Sequence, residues 1–262
     1  MQTHQPRPVL TAALLAAGAL ASNAAFIWLG SVYDYPAVLS RPAAEALASF
    51  HDKPEAVVAG FSVLSAGAAL MAPIAVLAAR LQPGVAMRAA AWAGIVAAVV
   101  QLAGLLRWVT LVPMLGPDDT GTFTLLNLVL GKVLGEWFGY LFTAAWTVLV
   151  AHRFGMHRRW FAWWGYASAL LIAAGLTSPL GLESADIANF AGYVLWSLWL
   201  LAFAALILRD RALKDGILKV RGTGNRDGGR AANAARPAPG GAGLAGGTVG
   251  SGAMDPEGGL RR

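Results

Sequence analysis

Six stretches of the chain, at about 9–30, 56–79, 89–115, 127–150, 160–181 and 187–208, are apolar over twenty or more residues and are joined by more polar connections. At roughly 1.5 Å per residue, each is long enough to cross the ~30 Å hydrocarbon core of a bilayer as an α-helix. In that solvent a span must satisfy its own backbone N–H and C=O groups, and runs of this length do so as helices. The expected fold class is therefore all-α, a polytopic bundle of six transmembrane helices. Composition argues against a water-soluble fold. Of 262 residues, 57% are hydrophobic and 13% charged, with a mean hydropathy of +0.57, more apolar surface than a soluble chain of this size can hide. With no cysteine, disulfides, thiolate metal sites and cysteine nucleophiles are excluded together.

The first run follows Arg7 and contains Ala19-Leu20-Ala21, the small-x-small pattern of a signal-peptide cleavage site. It continues through Phe26, Ile27, Trp28 and Leu29, longer than an ordinary signal core, and is read as an uncleaved span. Charge alternates from one connection to the next. Arg7, then Arg80 and Arg88, then Arg153, Arg158 and Arg159, then Arg209, Arg211 and Lys214 mark one side. Asp34, Glu45, Asp52 and Glu55, then Asp118 and Asp119, then Glu183 and Asp186 mark the other, with Arg41 and Lys53 as exceptions. The positive-inside rule then predicts both termini in the cytoplasm of a bacterial inner-membrane protein. It also explains the net charge of +6 as topology, with no specific nucleic-acid partner implied. Trp160, Trp163 and Trp164 fit an aromatic belt at the inner interface.

The one long outer connection, 31–55, shows Leu39, Ala43, Ala46, Leu47 and Phe50 at helical spacing, with Pro42 tolerated in a first turn. A short amphipathic helix on the outer surface is expected there. His51, Asp52 and Glu55 lack a second histidine on that side, so no metal site and no cofactor is expected. The segment 220–262 turns to Gly, Ala, Arg and Pro without apolar periodicity. It is expected to be a disordered cytoplasmic tail after a transmembrane domain of residues 1–219.

Three ionisable residues interrupt the apolar runs: Arg107 in the third, Lys132 and Glu136 in the fourth. An unpaired charge at mid-membrane costs at least ~2.5–3.5 kcal/mol, so such groups face one another, a cavity or a bound ion. Counted from the connection near 116–122, Arg107 and Glu136 lie at similar depth on antiparallel neighbours. A bidentate Arg107–Glu136 pair is expected, with Lys132 at its outer edge. Gly131, Gly135 and Gly139 recur every fourth residue and form a flat stripe for close helix packing. Beside them run Lys132, Glu136 and Tyr140. Asn23, Ser62, Ser65, Thr177, Ser178, Asn189 and Tyr193 reach comparable depth and could line a pocket opening outward. Each also has a plain structural role available, since Ser and Thr bond to their own helix carbonyls and Asn joins helices.

The run Gly104-Leu105-Leu106-Arg107-Trp108 with Val112-Pro113, then Gly131-x-x-x-Gly135-Glu136, then Gly139-Tyr140-Leu141-x-Thr143-Ala144-x-Trp146-Thr147, resembles a family of small six-span bacterial membrane proteins carried only as a domain of unknown function. The resemblance covers the six spans and excludes the tail, and it implies location and helix count without an activity. Where the family has a histidine after the glutamate, this chain has Trp137, so the resemblance brings no proton relay to that position.

Three functions remain open. Arg107 and Lys132, only partly balanced by Glu136, could bind or transport a small anionic or zwitterionic solute. The trio could instead set helix register in a non-catalytic interaction protein. As a membrane enzyme, the chain would use Glu136 as acid or base, with Arg107 and Lys132 holding an oxyanion. No nucleophile motif supports this last reading, and oligomeric state leaves no trace in the sequence.

Overall fold

The computed structural model describes residues 7–180 and 183–234, with side chains described for 7–178 and 185–213. It forms two compact units, Met1–Lys214 and Asp215–Arg262, and every described element is helical. Helix α1, Pro8–Tyr33, starts on a proline whose missing N–H costs nothing in a first turn. It stops at Asp34, which takes the left-handed conformation (φ 54°) and returns its N–H to the Leu29 carbonyl. A 3₁₀ turn, Ala37–Ser40, leads to α2, Ala43–Asp52, and Pro54 opens α3, Pro54–Ala69. The α3 axis breaks at Leu70 before α4, Met71–Leu81. Pro73 causes the break, because it has no N–H for the Ala69 carbonyl one turn earlier.

Helix α5, Val85–Thr110, ends in a 3₁₀ turn at Val112–Met114. The next rod runs from Thr120 to Gly155 in three parts: α6, Thr120–Leu126, a π-helical segment, Asn127–Phe138, and α7, Gly139–Gly155. Helix α8, Arg159–Ala174, passes into a 3₁₀ turn, Gly175–Leu180, and α9 covers Glu183–Ala234. The tail expected over 220–262 falls in the second unit, where α9 runs to Ala234 and residues 235–262 lie outside those described.

Among the described residues, five helical stretches are long and apolar enough to cross a membrane: Pro8–Tyr33, Pro54–Leu81, Val85–Met114, Thr120–Gly155 and Ala185–Leu213. Their outer faces carry the apolar residues a lipid-facing surface requires, with Ile27 75% and Ile187 71% exposed. The fifth expected run, 160–181, is the one missing from these stretches and divides into the 16-residue α8 and the 3₁₀ turn that follows. A helix ending at that point leaves carbonyls without intrahelical partners. Asn189 Nδ2 donates to the Ile172 carbonyl at 2.7 Å, and Thr177 Oγ1 donates to the Ala174 carbonyl at 2.7 Å.

Helix α5 is central and packs on α3, α4, α7 and the π segment. One core layer lies near the amino end of α1, where Leu15, Ile74, Met87, Trp146, Phe161, Trp199 and Phe203 are buried. There Phe161 stacks on Trp199 with centroids 4.8 Å apart, and Trp199 Nε1 donates to the Phe161 carbonyl at 3.0 Å, which joins α8 to α9. The other layer lies at the opposite end and includes α2: Tyr33, Val38, Leu47, Phe50, Phe61, Trp108 and Phe123. His51 extends α2's attachment, its ring nitrogens lying 2.9 Å from the Leu47 carbonyl and 3.0 Å from the Leu115 carbonyl. Trp160 and Trp163 are exposed at the head of α8 as an interfacial belt requires, whereas Trp164 is half-buried and donates to the Leu195 carbonyl.

Candidate functional site

The site begins with a backbone contact between α5 and the π segment. A Cβ placed on Gly104 would lie 2.8 Å from Gly135 Cα and 2.9 Å from the Leu130 carbonyl oxygen, closer than any side chain allows. On either side the pattern continues. A Cβ on Gly131 would meet Arg107 Nη2 at 2.7 Å, and one on Gly139 would meet Gln101 Cγ at 2.8 Å. The glycine row 131, 135, 139 thus lies against Arg107, Gly104 and Gln101, one α5 turn per glycine, and its missing side chains make room for the guanidinium.

Arg107 is 5% exposed. Its Nε donates to Asn127 Oδ1 at 3.1 Å, and Nη1 donates to the Gly104 carbonyl. Its Cζ sits 5.1 Å from the centroid of the Trp108 ring, a cation–π distance. Trp108 in turn stacks on Phe61 at 4.7 Å and meets Tyr33, Phe50 and Phe123 at 5.4–6.2 Å. Its Nε1 is buried without a hydrogen-bond partner among the described residues. Arg107 therefore rests on a closed aromatic floor.

The expected Arg107–Glu136 pair is not formed. Among the described residues, the ion pairs are Arg41–Asp34 and Arg158–Asp210, both well away from Arg107 along the chain. Counting depth at an α-helical rise ignored the π segment, whose i→i+5 bonds widen each turn and shift every later residue around the axis. Asn127 takes the Arg107 guanidinium, and Gly135 occupies the seam against Gly104. Glu136 is half-buried, with no hydrogen bond or ion pair among the described residues. Lys132 is exposed beside Leu128 and Val129, where its long stem can carry the ammonium along the apolar surface.

Tyr35, in the connection after α1, stands within electrostatic reach of both charges. Burial pushes its phenol up to about 12, the negative charge of Glu136 adds to the rise, and Arg107 opposes it. Its ring packs on Phe26 at 5.7 Å and on Phe61 at 5.2 Å. A second polar group lies further along the rod. Gln101 Nε2 donates to Thr143 Oγ1 at 2.7 Å. The Tyr140 and Tyr193 rings are 5.8 Å apart, and Tyr140 and Asn189 converge on Gly175, where a Cβ would lie 2.7 and 2.4 Å from them.

The remaining candidates lie elsewhere. Asn23 Nδ2 donates to the Ala19 carbonyl and Ser62 Oγ to the Val58 carbonyl, each on its own helix. Ser65 Oγ is buried without a partner among the described residues, and Ser178 donates to Asp186. Sequence reasoning did not find Asn127, Tyr35, Gln101 or Thr143. Gln101 was the most accessible of these, as the other long polar side chain in the Arg107 run, six residues before it. No group of three His, Asp or Glu residues able to hold a metal occurs among the described residues.

The profile of a protein family, Domain of unknown function (DUF4386), matches residues 10–204, which takes in α1 through the apolar stretch of α9 and every residue of the site. The chain belongs to the DUF4386 family. No curated protein and no solved structure matches it. The DUF4386 match ends before the second compact unit, so the family is defined on the bundle that holds Arg107, Lys132 and Glu136. Fold and family together give a helical bundle, in a family of unknown function, with several helices long and apolar enough to cross a membrane.

Proposed function

We propose that the bundle binds a small anionic or zwitterionic solute, for passage or for sensing, with Arg107 as its anchor. The observation that carries this reading is a buried guanidinium held by neutral partners alone, Asn127 and the Gly104 carbonyl, with no carboxylate in ion-pair range among the described residues. Its Nη2 lies against Gly131, where a side chain would have closed the space. A cation kept at such cost is poised for an anionic group. Its donors suit a planar carboxylate or a phosphate. Glu136 and Tyr35 nearby would receive the cationic or hydroxyl part of a zwitterion, and the π segment adds weight, since π-helical turns concentrate at functional sites. Thermal unfolding of the purified chain at low salt, with small carboxylates, amino acids and phosphates added singly, tests the reading. A saturable rise in Tm with one class is expected, and no shift with any of them would remove it. A structural clasp is the second reading, favoured by the hydrogen bonds that Asn127 and Gly104 already supply. An enzymatic role for Glu136 has no such support.

The same proposal places six spans in the inner membrane of a bacterium, with α8 and its 3₁₀ turn as the fifth, both termini in the cytoplasm, and α2 on the outer side over the Arg107 end. Charge alternation supports this orientation. Because the chain has no cysteine, single replacements report cleanly. In intact cells an impermeant thiol reagent should label Asp118→Cys and spare Met156→Cys. The reverse pattern would invert the topology.

A further inference from the structure

Between α1, α4 and α5 lies a groove of about 490 Å³, lined by Leu10 and Leu14 of α1, Val76 and Leu77 of α4 and Ile95 of α5, with Arg80 at one end. The groove shares no residue with the Arg107 site. From Arg80 and its surroundings we infer that this groove seats an anionic diacyl phospholipid, with an acyl chain along the apolar wall and the phosphate at Arg80.

Three observations support this occupant over bulk lipid. First, the groove is lined by three helices, with Ala72, Pro73, Val76, Leu77 and Arg80 of α4 as its longest wall. Second, its open end is basic. Arg7 precedes the first turn of α1, Arg80 is in the last turn of α4 and Arg88 in the first turn of α5. All three are exposed, and none has an ion-pair partner among the described residues. Third, no acidic residue lies in the chain between Arg7 and Leu14 or between Pro73 and Ile95, so nothing in the groove's own segments offsets that charge. Basic clefts between membrane helices at the headgroup level select anionic lipid over zwitterionic lipid.

The full chain, purified in a mild detergent and stripped of lipid, is the material for the test. Dioleoyl phosphatidylglycerol, dioleoyl phosphatidylcholine and inorganic phosphate are added separately, and bound lipid is counted by native mass spectrometry alongside Tm. Phosphatidylglycerol should be retained and should raise Tm, whereas the other two should do neither at the same concentration. Arg80→Gln should lower phosphatidylglycerol retention roughly fivefold, the contribution of one basic residue at a membrane surface. Because Arg80 is exposed and unpaired among the described residues, this change leaves lipid-free Tm unaltered. Leu14→Trp, which fills the groove without changing charge, should lower retention as well. Equal retention of the two lipids overturns the assignment. So does an effect of phosphate alone, or phosphatidylglycerol retention that survives either substitution.

Discussion

Gly104→Leu is expected to abolish the folded bundle. The Gly104 position faces backbone, Gly135 Cα at 2.8 Å and the Leu130 carbonyl at 2.9 Å from a built Cβ, and backbone cannot rotate aside as a side-chain tip can. Even Gly104→Ala should destabilise by ~1–3 kcal/mol, the usual cost of overpacking, and leucine should exceed that range. Gly121→Ala is the matched control. It lies in α6 with nothing within 4 Å of a built Cβ, and there alanine should be neutral or stabilising by up to ~1 kcal/mol. Thermal unfolding and monodispersity in detergent read both. A Gly104→Leu protein that elutes and melts like the parent would show that α5 and the π segment do not touch as described.

Arg107→Met should cost at least ~30-fold in affinity for whichever anion raises Tm, because truncating one partner of a buried charged contact typically costs 2–5 kcal/mol. Arg107→Lys should fall in between, keeping the charge and losing the planar fork. The same substitution also separates the two possible structural partners. Arg107 donates to Asn127 Oδ1 at 3.1 Å, so Arg107→Met and Asn127→Leu should be non-additive by ~0.5–3 kcal/mol in unfolding free energy. Arg107→Met and Glu136→Gln share no hydrogen bond among the described residues and should couple less strongly. Stronger coupling to Glu136 than to Asn127 would restore the ion pair that counting along the sequence suggests. If unfolding shows the Asn127 coupling while no anion binds, the guanidinium is a clasp and the binding proposal fails.

Helical class and apolar runs were legible because a bilayer leaves a backbone few choices, so length and hydropathy suffice to find a span. The fifth run was harder to read. Gly175 and Pro179 sit inside an unbroken apolar stretch, and only the Asn189 and Thr177 contacts reveal how α8 can end there. The polar site was legible as residue types and illegible as partners. Arg107 and Glu136 stand out in any hydropathy reading. Their mutual geometry depends on the hydrogen-bond pattern of Asn127–Phe138, and a π-helical segment carries the same four-residue spacing of glycines that an α-helix would. Tyr35 was unreadable for another reason. It sits in a connection, and its position over Phe26 and Phe61 follows from where α1 stops, at the left-handed Asp34.

The burial of Val38, Leu47 and Phe50, each at most 1% exposed, changes what the connection between α1 and α3 is. Loops of this length ordinarily open and close on their own, shedding amide protection long before the body of a protein yields. This one shares a single aromatic layer with Trp108, directly beneath the guanidinium. It cannot detach without uncovering that floor, so it belongs to the same cooperative unit as the membrane helices. The segment is therefore a poor place for inserted tags or proteolytic nicks, and variation within it bears on Arg107 as directly as variation in α5.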